Sequence, residues 1–185
     1  MTQDQKKIDQ VAFQFNLQVE EKVRSIMTPL EKIIPITNFS YLRFYEDGRL
    51  LHIQPDKFLL KHLLESDFNN QGLKNEKLKE AVNKTVVSSQ YIWPSNNQDD
   101  LSRFLSTFGI KNTMSIITKN TSFIESLTFS NSLDDKLGFD LNVSNKDLYQ
   151  HFRAYFLDKI NDIIDFDDKN IYFQSTLYEY YKNKK

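Results

Sequence analysis

Apolar residues recur at three- and four-residue spacing near the N-terminus, so they share one face of an α-helix. Proline lacks the backbone N–H that a helix interior needs, and we therefore expect Pro29 and Pro35 to end this helix. Such a stripe packs against a core or a second copy of the chain, and an aromatic helix also suits a protein partner. The pattern predicts a helix within residues 1–34. Its stripe comprises Ile8, Val11, Ala12, Phe15, Val19, Val23, Ile26, Met27 and Leu30.

Residues 38–54 have the pattern of a β-hairpin. Two segments rich in strand formers flank Asp47-Gly48, a dipeptide that tolerates the positive φ angles of a type I′ turn. A two-residue loop of this type makes Phe44 face Leu51. One side of the hairpin then faces the core, and the other suits either solvent or the wall of a pocket. The core side comprises Leu42, Phe44, Leu51 and Ile53, and the other side Tyr41, Arg43, Tyr45, Leu50, His52 and Gln54.

The middle of the chain predicts two helices with an extended segment between them. Pro55 suits the first position of a helix whose buried side is Phe58, Leu59, Leu60, Leu63 and Leu64. Residues 67–84 predict a loop with a short helix, and residues 85–93 a strand that ends before Pro94. The second helix has N-cap candidates at residues 95–97 and Gly109 at its C′ position. Its apolar stripe comprises Leu101, Phe104, Leu105 and Phe108.

A second hairpin and a long helix follow. Residues 113–119 and 122–130 are rich in strand formers and enclose Asn120. A helix from Ser144, with Asp147 three residues on as in a capping box, has an apolar stripe of its own. That stripe comprises Leu148, Phe152, Phe156, Ile160, Ile163 and Ile164. Residues 166–185 predict a C-terminal helical tail.

The order of these elements indicates one α+β domain over residues 1–185. Two hairpins and one further strand predict a central antiparallel sheet of about five strands. Helices on one or both of its faces give a PAS/GAF-like outline, with the α/β core over residues 36–165.

Composition excludes several classes of protein. With 24 Lys+Arg against 25 Asp+Glu, the net charge of -1 lacks the basic surplus that binds nucleic acid or an anionic membrane. No apolar run is long enough for a transmembrane helix, and the polar N-terminus is unlike a secretory signal. Cysteine is absent, which excludes disulfides and thiolate chemistry. We therefore expect a cytoplasmic protein that binds neither membranes nor DNA directly.

Motifs of catalysis are missing as well. His52, His62 and His151 fall on different predicted elements, and no phosphate-binding loop or nucleophile elbow occurs. The acidic run after Asp158 suits a solvated helix face better than a cation site, because no EF-hand loop accompanies it. We expect no enzyme activity, no metal site and no cofactor.

Glu125 is the most informative charged residue. Strand alternation places it on the same face as Phe123, Leu127 and Phe129, and a buried carboxylate must find partners. It pairs either with Arg43 or a lysine of the chain, or with a donor group of a ligand. Candidates for a ligand pocket combine apolar walls with few polar groups, although ordinary packing between sheet and helices uses the same residue types. These candidates are Tyr41, Arg43, His52, Trp93, Met114, Ile116 and Glu125.

The amino-acid sequences of several segments resemble those of the N-terminal sensor domains of LuxR-type transcriptional regulators. The segments are ITNFSYLRFYEDGRLLHI (36–53), YIWPS (91–95), FGIKNTMSIITKN (108–120), SFIESLTFSNSLDD (122–135) and LYQHFRAYFLDKINDII (148–164). The resemblance implies an α/β/α sandwich that binds a small signalling molecule, such as an acyl-homoserine lactone, between sheet and helices. It further implies a homodimer and the control of a C-terminal helix-turn-helix.

Two departures from the family pattern shape the functional hypothesis. Trp93 matches a pocket tryptophan of the family, but the chain contains no counterpart of the Asp-Pro pair that lines the lactone pocket. No counterpart of the DNA-binding helix-turn-helix follows residue 165, so we expect a sensor domain without it. The sequence favours non-enzymatic sensing of a small, largely apolar signal molecule, coupled to dimerisation. The alternative is a protein-protein interaction module with a filled core and no ligand.

Overall fold

A computed structural model describes residues 3–65, 87–93 and 100–175 of the chain. The helices are α1 (Gln3–Glu31), α2 (Lys57–Glu65), α3 (Asp100–Thr107), α4 (Asp135–Ser144), α5 (Lys146–Asn161) and a 3-10 helix (Lys169–Ile171). The strands are β1 (Asn38–Tyr45), β2 (Arg49–Ile53), β3 (Val87–Trp93), β4 (Asn112–Lys119), β5 (Phe123–Asn131) and β6 (Phe173–Gln174). The predicted loop and short helix at 67–84, the N-cap candidates at 95–97 and residues 176–185 of the predicted tail lie outside the described residues.

The described strands form one sheet in the order β3-β4-β5-β1-β2-β6, and every neighbouring pair is antiparallel. The α+β class and the central antiparallel sheet are therefore confirmed. The sheet has six strands rather than five because residues 173–174, which were expected in a helical tail, pair with β2. The tail prediction is thus wrong over residues 172–175, where the chain is extended.

One face of the sheet, here called the core face, is filled by side chains of α1 and α5. The ring centroids of Phe129 and Tyr149 lie 4.9 Å apart, and those of Phe39 and Phe156 lie 5.0 Å apart. Aromatic pairs at this spacing stabilise the interface beyond what the burial of their apolar area contributes. Each sheet residue of the core face is at most 4% exposed. These residues are Phe39, Tyr41, Leu51, Ile53, Met114, Ile116, Leu127 and Phe129.

The predicted stripe of the long helix is confirmed where it meets this face. Phe152, Phe156, Ile160 and Ile164 are buried, whereas Leu148 and Ile163 are half-buried. Its predicted start is wrong, because Ser144 is the last residue of α4 and α5 begins at Lys146 without a side-chain cap. The capping residue in this region is Asp134, whose side chain accepts a hydrogen bond from the Leu137 backbone N–H at the start of α4.

The helix α1 runs along the β2–β6 edge of the sheet. Most of its predicted stripe is buried, but Phe15 is half-buried and Val11 is 42% exposed, and the side chain of Ile8 lies outside the described part of the structure. The buried members are Ala12, Val19, Val23, Ile26, Met27 and Leu30. Pro29 lies inside the last turn of α1 and does not end the helix as predicted. Its missing N–H removes one hydrogen bond of the helix, but the next residue, Leu30, is buried in the core and holds the last turn in place. The side chain of Asn16 donates to the His52 carbonyl at 2.7 Å and accepts from the Gln54 N–H at 3.0 Å. It thereby pairs the part of the β2 edge that β6 does not reach.

The first hairpin is confirmed, but its predicted register is wrong by one residue. Phe44 faces Leu50 rather than Leu51, and Tyr41 faces Ile53. The reason is the loop, which contains three residues: the Gly48 N–H donates to the Tyr45 carbonyl at 3.1 Å, and Gly48 has a φ of +92°. This is the geometry of a turn followed by a bulge at a glycine. A one-residue shift exchanges the faces, so Tyr41 lies with Ile53 in the core.

We expect Gly48→Val to lower the free energy of unfolding by about 1–3 kcal/mol, because a β-branched residue resists positive φ. Gly48→Asn is the matched control, since asparagine tolerates the left-handed region, and it should cost clearly less. Thermal unfolding of both variants measures the difference. Equal melting temperatures for Gly48→Val and the wild type would contradict the bulge geometry.

The helices α2 and α3 pack on each other beside the opposite face of the sheet. The α2 helix begins at Lys57 rather than at Pro55, because the Asp56 carboxylate accepts from the Phe58 and Leu59 N–H groups. Phe58, expected to be buried, is 65% exposed. The predicted role of Gly109 is confirmed: it has a φ of +72°, and the last turn of α3 closes with hydrogen bonds from residues 109 and 110. Leu59, Leu63 and Ile110 join the two helices, with Leu101, Phe104, Leu105 and Phe108 packed around them.

Candidate functional site

The carboxylate of Glu125 lies at the centre of a charged cluster at the edge of the core face. Arg43 is directly opposite on β1, with its Nη2 at 3.5 Å from Oε2 of Glu125, and Arg153 of α5 bonds the other carboxylate oxygen. The Tyr41 hydroxyl donates to Oε2 at 3.1 Å and accepts from Nε of Arg43 at 2.9 Å. Glu125 is 4% exposed. The expected pairing of Glu125 with Arg43 is confirmed, and Arg153 adds a second cation that strand parity did not predict.

The residues around this cluster give it a structural role. The Arg43 guanidinium lies 4.2 Å from the ring centroid of Phe123 and 4.0 Å from that of Phe166, which follows α5. Burial, reinforced by the charge of Glu125, raises the pKa of Tyr41 well above its usual value, so its hydroxyl keeps its proton near neutral pH. The carboxylate is therefore fully engaged by residues of the chain and ties β1, β5 and α5 together.

Tyr149 makes the core face sensitive to alkaline pH. Its hydroxyl donates to Oδ1 of Asn142 at 2.9 Å, and burial raises its pKa to about 12. Because the unfolded pKa is about 10, this stabilisation is present below pH 10 and is lost as the pH rises through about 12. Between pH 9 and pH 11.5 the wild type should lose about 2 kcal/mol more than Tyr149→Phe in urea unfolding. Tyr155→Phe, at an exposed tyrosine of the same helix, should instead keep the wild-type dependence.

The opposite face of the sheet, here called the hydroxyl face, carries a row of serine and threonine side chains on β4 and β5. Thr113 and Ser130 oxygens lie 2.9 Å apart, and the Thr128 oxygen lies 3.0 Å from Ser115 and 3.4 Å from Ser126. Strand register makes Thr113 and Ser130, and Ser115 and Thr128, direct neighbours, whereas Ser126 precedes Thr128 by two residues on β5. Ser115, Ser126 and Ser130 are between 2% and 6% exposed, whereas Thr113 and Thr128 are half-buried. The serines of this row are therefore covered, and its two threonines remain partly accessible.

Polarity changes along the strands of the hydroxyl face. Beside the hydroxyl pairs, Ile117 of β4 lies opposite Ser126 of β5. Two residues further along β5 on the same face, Ile124 lies opposite Phe44 of β1. The apolar end continues through Leu50 and Phe173, and Leu64 of α2 and Ala12 of α1 pack against it. About 20 Å of β5 separates Ser130 from Ile124, at the usual rise per residue. The covered wall is therefore polar at one end and apolar at the other.

The predicted pocket residues divide between the two faces. Tyr41, Met114 and Ile116 are fully buried in the core face, and Arg43 and Glu125 belong to the charged cluster at its edge. His52 lies on the hydroxyl face opposite Leu42 and is 3% exposed. The Trp93 backbone pairs with Thr113, but its side chain lies outside the description. The structure thus brings five of the seven together and leaves His52 on the other side of the sheet.

Sequence reasoning did not select the hydroxyl face. Its signal is the alternation of Ser126, Thr128 and Ser130 with apolar residues of β5, which is equally typical of a solvated face. Burial of these hydroxyls distinguishes the two interpretations, and burial depends on helices far away in the chain.

One surface cleft of about 80 Å³ lies where the end of α1 meets the start of β1. It is lined by Arg24, Glu31, Thr37 and Asn38 among others, and its volume suits two or three water molecules. A cleft of this volume is too small for an amphiphilic ligand. Among residues 3–65, 87–93 and 100–175, no group of three or more acidic or histidine side chains has metal-site geometry. Over the same ranges, each helix is too short or too polar to cross a membrane.

Comparisons with known proteins give the fold but no sequence relative. No family model and no curated protein matches the chain. The structure is similar to the VqsR LBD domain from Pseudomonas aeruginosa, with a TM-score of 0.50 at 10% identity over 81% of this chain and 94% of that one. The fold is that of a LuxR-type sensor domain. The resemblance predicted from the sequence is therefore confirmed at the level of the fold.

Two further solved structures have lower scores. The N-acylhomoserine lactone dependent LuxR family transcription factor CepR2 from Burkholderia cenocepacia has a TM-score of 0.49 at 10% identity, covering 79% of this chain and 98% of its own. SdiA in complex with octanoyl-rac-glycerol has a TM-score of 0.42 at 12% identity, covering 92% of this chain and 70% of its own. A LuxR-type sensor fold at such low identity leaves the ligand to be argued from the residues themselves.

Proposed function

We propose that the chain is the non-enzymatic sensing domain of a transcription regulator and binds a small amphiphile on the hydroxyl face. The observation that carries the proposal is the largely buried wall with hydroxyl groups at one end and apolar side chains at the other. A head group that accepts hydrogen bonds suits the end at Ser115 and Thr128, and an acyl tail suits the end at Phe44 and Ile124. No carboxylate lies on the described strands of this wall, which argues against a cationic head group.

Sensing would follow from linkage. A ligand that binds only the folded state stabilises that state by mass action, so the ligand concentration sets the population of competent protein. The proposed active form is a homodimer in the cytoplasm, as the resemblance to the sensor domains of LuxR-type regulators implies. The exposed apolar side chains Leu137, Phe139 and Val143 support a contact between α4 and another protein chain.

Two amphiphiles serve as probes, N-octanoyl homoserine lactone and octanoyl-rac-glycerol. Each is titrated into the protein while Trp93 fluorescence and thermal stability are followed. Thr128→Val removes one hydroxyl of the wall at nearly constant volume and should weaken the binding of at least one probe about tenfold. Thr118→Val is the matched control, because Thr118 lies on β4 next to Glu125 on the other side of the sheet. It should leave the affinity unchanged.

The outcomes separate the two functional hypotheses. Binding that is weakened by Thr128→Val and not by Thr118→Val supports the hydroxyl face. Equal binding by both variants would move the site elsewhere. Failure of both probes to bind would contradict the proposal and favour the interaction module with a filled core.

A further inference from the structure

The strand β6 contains only two residues and lies at the edge of the described sheet. Phe173 pairs with Leu50 and Gln174 with Arg49, and the Ser175 N–H donates to the Gly48 carbonyl at 2.9 Å. Short edge strands open locally at a lower free energy than the whole domain. A small change in free energy can therefore alter the fraction of molecules in which β6 is paired with β2, here called the docked form.

The residues before β6 are anchored on the core face. The Tyr172 hydroxyl donates to the Phe166 carbonyl at 2.6 Å and lies 3.3 Å from the hydroxyl of Tyr45. The Arg49 guanidinium lies 4.9 Å from the Tyr172 ring centroid, and the Tyr172 side chain is 1% exposed. Opening of the C-terminal segment would therefore stop at Tyr172 and release the residues that follow it.

Phe173 lies on the other side of the sheet from Tyr172. It is 2% exposed and packs with Phe44, Leu50, Ile117 and Ile124, which form the apolar end of the hydroxyl face. One residue thus completes both the docked strand and the wall that the proposed ligand would contact.

We infer that docking of β6 is coupled to occupancy of the hydroxyl face, with Phe173 as the shared residue. The inference rests on the proposed function and adds its regulation. A ligand whose tail contacts Phe173 binds the docked form more tightly than the open form, so it raises the docked population. By reciprocity, any interaction that pulls β6 away lowers the affinity for the ligand by the same factor. The fold would then transmit ligand binding to the chain beyond Tyr172.

Amide hydrogen exchange measured by NMR tests the coupling in the full chain. The reporter is the Ser175 amide, and the reference is the Ile164 amide, which donates to the Ile160 carbonyl at 3.0 Å on the core-face side of the sheet. Saturation with octanoyl-rac-glycerol, or with N-octanoyl homoserine lactone if only that probe binds, should slow Ser175 exchange at least tenfold more than Ile164 exchange. Phe173→Ala should weaken binding of the same probe about tenfold. Gln174→Ala, at the exposed neighbouring position, should leave it unchanged.

Each result has one meaning. Selective slowing of Ser175 exchange supports the coupling, and it decides the matter even where Phe173→Ala fails to fold. Probe binding that Thr128→Val weakens, together with unchanged relative exchange of Ser175, would overturn the coupling and leave the proposed function standing. Failure of both probes to bind would overturn the two together.

Discussion

Replacing Glu125 with glutamine should lower the free energy of unfolding by about 3–5 kcal/mol, because two largely buried cations lose their shared counter-charge. The side chains of Arg43 and Arg153 are 11% and 20% exposed, so water solvates them poorly where they lie. Glutamine keeps the volume of the side chain and removes its charge, which separates electrostatics from packing. Urea unfolding at neutral pH measures the loss.

Glu46→Gln provides the matched control, since Glu46 is an exposed glutamate in the first hairpin. Its substitution should change the stability by no more than about 0.5 kcal/mol. Joint replacement of Arg43, Glu125 and Arg153 by methionine, leucine and methionine should restore much of what Glu125→Gln loses, because no buried charge is left uncompensated. A loss below about 1 kcal/mol for Glu125→Gln would mean that the two arginines reach solvent.

Asn16→Leu should cost about 2–5 kcal/mol, because it removes the two buried hydrogen bonds that the Asn16 carboxamide makes with the His52 carbonyl and the Gln54 N–H. Leucine has the same number and branching of side-chain heavy atoms as asparagine and favours a helix, so helix propensity does not explain a loss. Gln18→Leu, two residues on at an exposed position of α1, is the control and should stay within about 0.5 kcal/mol of the wild type. Thermal and urea unfolding of both variants test this, and equal stability would show that water can replace the carboxamide at this edge.

Elements with a strong local pattern could be predicted from the sequence. The stripe of α1, the second hairpin and the buried side of α5 each repeat with one clear period, and burial of that stripe is enough to define the element. Gly109 was identifiable because a glycine after a helical stripe has one common use. These features depend on neighbours within a few positions in the chain.

The errors arose where a distant or very small feature decides the structure. One glycine with positive φ turns a two-residue loop into a three-residue loop, and every side chain of β2 changes its partner. The α4 helix escaped notice because Leu137, Phe139 and Val143 are exposed and Gly138 interrupts the pattern. The strand β6 has two residues, too few for any periodicity.

The candidate site was predictable only in part. The parity of Glu125 identified a buried acid and one of its partners, Arg43, because both lie on neighbouring strands. Arg153 comes from a helix whose docking angle no local pattern gives. The hydroxyl face required knowledge of what covers it, and alternation alone cannot distinguish a ligand wall from a surface in water.

The position of β1 in the middle of the sheet has a consequence for synthesis on the ribosome. Its partner on one side is the adjacent hairpin strand, but on the other side it pairs with β5, as in the contact of Tyr41 with Glu125 across 84 residues of chain. At roughly 5–20 residues per second, β1 waits about 4–17 s after its own emergence before β5 leaves the ribosome. During that interval the first hairpin presents an unpaired edge that carries Phe39, Tyr41 and Phe44. Newly made chains are therefore most prone to association before the second hairpin has been translated.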